Sequence, residues 1–147
     1  MLASTYSKGV ISIIFFLLLS NSSYSDSDQY LCITKQTVGF EYNNKINDWV
    51  ITSFKGEKYI ISKCSNSDKE TFWTMDCEYK LTKMGDTQSR CGCKYYSKAS
   101  ILCDCFLADF KFSLVTGRFL EVGSNGYWNP NYDSDTPYMR IGNCSPF

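Results

Sequence analysis

The chain has no histidine, only three prolines and, after its first twenty residues, no apolar run approaching the length of a membrane-spanning helix. Without histidine there is no Ser-His or Cys-His pair, so the familiar nucleophilic hydrolases and thiol enzymes are excluded. A clustered basic stripe is also missing, which argues against nucleic acid as a partner. Ala and Leu are scarce beyond residue 25, and no window of eleven or more residues carries a 3.6-residue apolar stripe, so little helix is expected.

What is present is cysteine, aromatic residues and a leader. Val10 to Leu19 is an apolar run behind a segment whose one charge is Lys8, and Ser23 and Ser25 flank Tyr24 in a small-x-small pattern. This predicts a signal peptide over residues 1–25 and a mature domain over 26–147, exported to the periplasm or secreted. Removing 25 of 147 residues leaves 122, enough for a single domain with a true core. Without Lys8 the mature chain holds 14 basic and 15 acidic side chains. It is expected to be soluble, with no membrane span once the leader is cleaved; its oligomeric state is left open.

Ten Phe, eleven Tyr and three Trp, with short alternating runs, predict an all-β domain, either a small barrel or a two-sheet sandwich of antiparallel strands. Alternation marks Val38, Phe40 and Tyr42; Trp49 and Ile51; Tyr59 to Ile61; Phe106, Phe110, Phe112 and Leu114; Arg118 to Val122; and Pro137 to Ile141. Phe72 to Met84 is the longest expected strand. Turns are expected at Asn43-Asn44-Lys45 and at Thr116-Gly117.

Eight cysteines in an exported chain read as up to four disulfides. Cys91-Gly92-Cys93 and Cys103-Asp104-Cys105 each set two sulfurs on one strand face, and a single hairpin register opposes Cys91 to Cys105 and Cys93 to Cys103. That register centres the turn on Lys98, with no glycine nearby to take a left-handed position, so a loose loop is expected. Eight cysteines allow 105 connectivities. The preferred set joins Cys32 to Cys144 and Cys64 to Cys77, with two bridges among the central four. A zinc site or a redox function for Cys91, Cys93, Cys103 and Cys105 is the alternative, opposed by oxidising export and by ligand spacing.

Tyr127, Trp128 and Tyr132, with Tyr138 nearby, form an aromatic-rich stretch between Gly126 and the Pro137 strand, and are the candidate binding residues. Asn129, Asn131, Asp133 and Asp135 alternate like calcium ligands, but Ser134 and Arg140 stand where such a loop needs glycine and glutamate. No metal, cofactor or catalytic residue is assigned.

Val38-Gly39-Phe40 with Trp49, Lys58-Tyr59-Ile60-Ile61, Thr116-Gly117-Arg118-Phe119-Leu120, Gly126-Tyr127-Trp128, Asp135-Thr136-Pro137 and Ile141-Gly142-Asn143-Cys144-Ser145-Pro146 together resemble a group of small exported bacterial proteins without characterised function. The resemblance implies no activity or site. That group uses fewer cysteines, which makes Cys64, Cys77 and the doubled central pairs look like additions. In architecture alone, a disulfide-tied periplasmic β domain is similar to bacterial lysozyme inhibitors. The expectation is an exported, non-catalytic binding protein whose partner is a protein or an envelope component, with a carbohydrate-binding module as the competing reading.

Overall fold

The computed structural model describes residues 27–71, 77–105, 107–124 and 136–147, with side chains left out at 69–71. Among these residues nine antiparallel strands follow in chain order: β1 (Gln29–Asn43), β2 (Asp48–Thr52), β3 (Lys58–Lys63), β4 (Tyr79–Lys83), β5 (Cys91–Ser97), β6 (Ser100–Cys105), β7 (Ala108–Ser113), β8 (Arg118–Gly123) and β9 (Tyr138–Pro146). A six-residue helix, α1 (Asn66–Thr71), stands between β3 and β4. Each strand from β3 to β9 pairs with the next, and β9 closes on β1, so eight strands form a barrel and β2 is an extra strand on β1. Of the two expected architectures the chain adopts the barrel. Among the described residues no helix is long and apolar enough to cross a membrane.

Strand β1 organises the barrel. On one side it pairs along most of its length with β9, from Tyr30 opposite Pro146 to Gly39 opposite Tyr138. On the other it meets β3 near its start and β2 near its end, Gln29 facing Ser62 and Asn43 facing Asp48. The offset is the same in both segments, so β2 and β3 are two ends of one returning strand, interrupted at 53–57. The Thr34 N–H still bonds to the Glu57 carbonyl at 3.0 Å across that interruption.

Alternation decides what enters the barrel. Tyr30, Tyr59, Tyr79, Phe110 and Phe112 are all buried, joined by Ile61, Leu81, Ile101 and Phe119. An eight-stranded barrel is just wide enough for side chains to fill, and aromatics fill it with few residues. Phe110 and Phe119 stack at 4.8 Å between centroids, and Tyr30 meets Phe112 edge-on at 5.1 Å. A Cβ at Gly142 would collide with the Ile33 carbonyl and the Phe119 ring, so only glycine lets that ring lie against β9.

All eight cysteines are bridged: Cys32–Cys144, Cys64–Cys77, Cys91–Cys105 and Cys93–Cys103. Cys32 faces Cys144 across β1 and β9, and Cys93 faces Cys103 across β5 and β6. Four bridges point to an oxidising environment.

Two local expectations are corrected. The loop at Lys98 is tight. One register shift between Tyr95 and Ser97 lets Ser97 face Ser100, so the extra residue is absorbed as a bulge and no left-handed residue is needed. The Ser97 hydroxyl accepts the Ala99 N–H at 3.2 Å and lies 2.8 Å from that of Ser100, closing the turn. Within the described part of the long strand expected over Phe72–Met84, Cys77 to Met84, only Tyr79–Lys83 is strand, because Cys77 and Glu78 lie outside it and the chain turns at Gly85 with φ of 98°. Phe72 to Asp76 and Phe106 lie outside the described residues.

Candidate functional site

The β1–β2 hairpin extends past the barrel. Register pairing with β9 stops at Gly39 and the Phe40 N–H still bonds to the Pro137 carbonyl at 2.9 Å, so among the described residues Glu41 to Asn43 pair with β2 alone. Its turn is built locally: the Asn43 side chain accepts the Lys45 N–H at 3.0 Å, Asn47 takes the left-handed conformation at φ 52°, and the Tyr42 hydroxyl donates to Asn47 Oδ1 at 2.6 Å. Tyr42 and Trp49 face each other across the ribbon, their rings 5.6 Å apart and inclined at 67°.

A bulge sets which way this ribbon faces. The β1–β9 register shifts between Thr34 and Gln36, placing one extra residue in β1. Before it Tyr30 and Cys32 point inward; after it the buried positions are Thr37 and Gly39, and Val38, Phe40 and Tyr42 turn outward. The sequence shows their alternation but not this reversal. Ile51 faces Phe40 from β2, Met139 faces Val38 from β9, and Val122 and Leu120 face Met139 and Ile141 from β8. One outer face running across β8, β9, β1 and β2 is therefore apolar. Val38, Phe40, Met139 and Ile141 are 43–48% exposed and Ile51 is 75% exposed. A groove of about 720 Å³ runs along it from Val122 to Ile51, with Asp48 the one charged lining residue among those described.

At the end of the barrel where β3 begins and β8 ends, the interior becomes charged. Tyr59 places its hydroxyl 2.6 Å from Glu121 Oε2 and 2.8 Å from Glu57 Oε2. Arg140 Nη1 lies 3.0 Å from that hydroxyl and 3.3 Å from one oxygen of each carboxylate, and its guanidinium stacks 4.0 Å over the Tyr138 ring. Tyr138 donates to Glu121 Oε1 at 2.8 Å, and Lys83 reaches Glu57 Oε1 at 2.6 Å. Arg90 completes the group, 3.7 Å from Glu57 Oε2.

Burial raises the Tyr59 phenol far above its ordinary range and the Glu121 charge raises it further, so it stays a neutral donor. Tyr138 rises for the same two reasons. Burial pushes the Glu57 carboxyl upward, but hydrogen bonds from Lys83 and Tyr59 with the Arg140 and Lys83 charges outweigh it and hold the group below its usual 4.5. Burial opposes the Arg140 charge, and the surrounding anionic and phenolic oxygens more than restore it. Two carboxylates are thus paired with three cations and two phenols. Such a cluster ties strands together, and most of its polar atoms are spent on one another, Arg140 Nε being buried without a partner among the described residues.

Of the residues singled out from sequence, the four central cysteines are brought together, as two disulfides. That pairing leaves no thiolate among them for zinc or for exchange. Tyr127, Trp128 and Tyr132, and the alternating Asn129, Asn131, Asp133 and Asp135, lie outside the described residues. Tyr138 sits in the charged cluster at the barrel end. Among the described residues no group of three or more His, Cys, Asp or Glu could hold a metal ion. Glu57, Glu121 and Arg140 escape sequence reasoning because they are 19 to 83 positions apart. Only the fold assembles them.

No protein-family model matches this chain, and neither a curated protein nor a solved structure matches it.

Proposed function

We propose that this chain is an exported, non-catalytic binding protein that recognises another protein, or a protein-like component of the envelope, through the apolar outer face of β8, β9, β1 and β2. One observation carries the reading: a barrel closed on a filled interior has no structural need for outward apolar side chains, yet one sector of its wall is covered with them. The outward positions on the opposite wall include Lys80, Thr82, Lys94, Asp104, Asp109 and Lys111, with Leu102 and the exposed Tyr96 the large apolar exceptions. This pattern differs from a transmembrane barrel, whose apolar band runs all round and whose lumen is polar.

Magnitudes favour a large partner. Full burial of an aliphatic or aromatic side chain contributes about 1.5–3 kcal/mol. Val38, Phe40, Met139 and Ile141 are already half buried, so covering them adds roughly half of that each, a sum comparable with the cost of association. A small ligand touching a few of them would be held weakly, whereas a protein covering the whole face gains enough. The inclined Tyr42 and Trp49 rings offer no single plane for stacking a sugar, which favours protein over carbohydrate. The Glu57–Glu121 pair is engaged by Arg140, Lys83 and two tyrosines, which supports a non-catalytic role. The leader and the four bridges support export to the periplasm or beyond.

The test is a capture experiment with the mature oxidised protein on an envelope extract, in parallel with a glycan array. Val38→Ser combined with Met139→Ser should leave the barrel folded at assay temperature and weaken binding to the captured protein at least about tenfold, roughly 1.4 kcal/mol. Equal binding by the double variant, or retention by glycans alone, would overturn the proposal.

A further inference from the structure

Among the described residues β2 presents an open strand edge. Among the described residues no strand pairs with the side of β2 that faces away from β1. Proteins usually blunt such edges with lysine, proline, a bulge or a covering loop. The sequence of β2 is Asp48-Trp49-Val50-Ile51-Thr52, with neither lysine nor proline and with four residue types that favour strands. Its Trp49 N–H is taken by the adjacent Asp48 carboxylate at 2.7 Å rather than by β1. Alternation then directs the Ile51 N–H and carbonyl to the same open side.

We propose that two copies of this chain associate across a two-fold axis at Val50, β2 pairing antiparallel with β2 of the second copy. The edge is complementary to itself in that register. Trp49 falls opposite the second copy's Ile51 and Ile51 opposite its Trp49, giving an aromatic and β-branched pair on each side of the axis, a favourable cross-strand combination. Asp48 falls opposite Thr52, so the one charge of the strand never meets its like. Both Trp49–Ile51 pairs are of the type that exchanges main-chain hydrogen bonds, and the Asp48 carboxylate gives up the Trp49 N–H as they form. The projecting ribbon, two strands wide in one copy, becomes a four-stranded sheet, which relieves the weakness of an isolated hairpin. The pairing uses the edge of β2 and leaves its outer face uncovered, so the two apolar faces join into one surface. A closed isologous dimer is also the commonest symmetric assembly.

The experiment is sedimentation equilibrium on the mature oxidised protein over a concentration series reaching high micromolar. A reversible monomer–dimer equilibrium is expected. Val50→Lys sets two ammonium groups against each other at the axis and Val50→Glu two carboxylates, so each variant alone should dimerise at least about tenfold more weakly. Mixing the two should restore a dimer, since opposite charges then meet, a rescue that a misfolded hairpin cannot give. Asp48→Ala, which frees the Trp49 N–H, should strengthen the dimer. A monomer at every concentration, an unchanged dimer in Val50→Lys, or no recovery on mixing would overturn the inference. Capture by the outer face is read separately, because Val38 and Met139 are not in β2. A monomer that still captures its partner defeats only the dimer, and a dimer that captures nothing defeats only the binding role.

Discussion

The wall formed by β4 to β7 and the wall formed by β8, β9 and β1 obey the same rule inward and opposite rules outward. Both send aromatic and aliphatic side chains into one core, Tyr79, Leu81, Ile101, Phe110 and Phe112 from the first, Phe119 and Tyr30 from the second. Outward, the first wall is mainly polar, Leu102 and Tyr96 apart, and the second mainly apolar. The inner half of each strand pattern is therefore explained by folding alone, and only the outer half distinguishes the walls. That difference is where recognition is sought. The two walls also differ in their staples: Cys91–Cys105 and Cys93–Cys103 close short hairpin loops in the first, whereas Cys32–Cys144 ties β1 to the far end of the chain.

The largest effect should come from breaking that long-range staple. In the chain-entropy account a bridge closing about 100 residues contributes about 4.7 kcal/mol and one closing about 15 contributes about 3 kcal/mol. Cys32 and Cys144 are 112 residues apart and Cys93 and Cys103 are 10 apart. Replacing both members of the first pair by Ser should lower urea stability by about 4–5 kcal/mol, and of the second by about 3 kcal/mol or less. The reverse order would show that the doubled hairpin, not the tie between chain ends, holds the barrel.

A smaller effect tests the seam between the walls. Lys83 from β4, with Arg90 just before β5, approaches Glu57 from one side and Arg140 from the other. The Glu57 carboxyl is held below 4.5 in the fold, so ionisation favours the folded state. That contribution is complete above the unfolded value near 4.5 and is lost as pH falls through the lower folded value. Glu57→Gln should cost on the order of 1.5–3 kcal/mol at neutral pH, the range for hydrogen bonds to a charged group. It should also flatten the acid limb of stability against pH. An acid limb of unchanged slope would remove Glu57 from the seam.

Much of the barrel is legible in the sequence because inward residues obey period two. Phe110 and Phe112, Tyr59 and Ile61, and the opposed cysteine pairs all declare their face locally. The face of Val38, Phe40 and Tyr42 is not legible, since it depends on an extra residue near Lys35 that only pairing with β9 reveals. The tight Lys98 turn was hidden for the same reason: its bulge at Tyr96 exists only in the pairing of β5 with β6. The charged seam joins residues from four strands and two connecting segments, and no spacing announces it.

The smallest expected effect on stability decides most about the two walls. Ile141 lies on the outer face of β9, opposite Leu120 and Gln36, and is 43% exposed. Ile141→Thr keeps a β-branched side chain and hence the strand preference, while removing apolar surface. Full burial of isoleucine contributes about 1.5–3 kcal/mol, so this partial loss should cost below about 1 kcal/mol. Lys111 occupies an outward position on the polar wall, opposite Leu102 and Leu120, and Lys111→Val should stay within about 0.5 kcal/mol. If the outer faces are spare to folding, both variants melt almost with the parent. If the apolar wall serves recognition, Ile141→Thr loses partner binding while Lys111→Val leaves it unchanged. Should Ile141→Thr unfold the barrel instead, the outer apolar face would be part of the fold, and the contrast between the walls would carry no functional meaning.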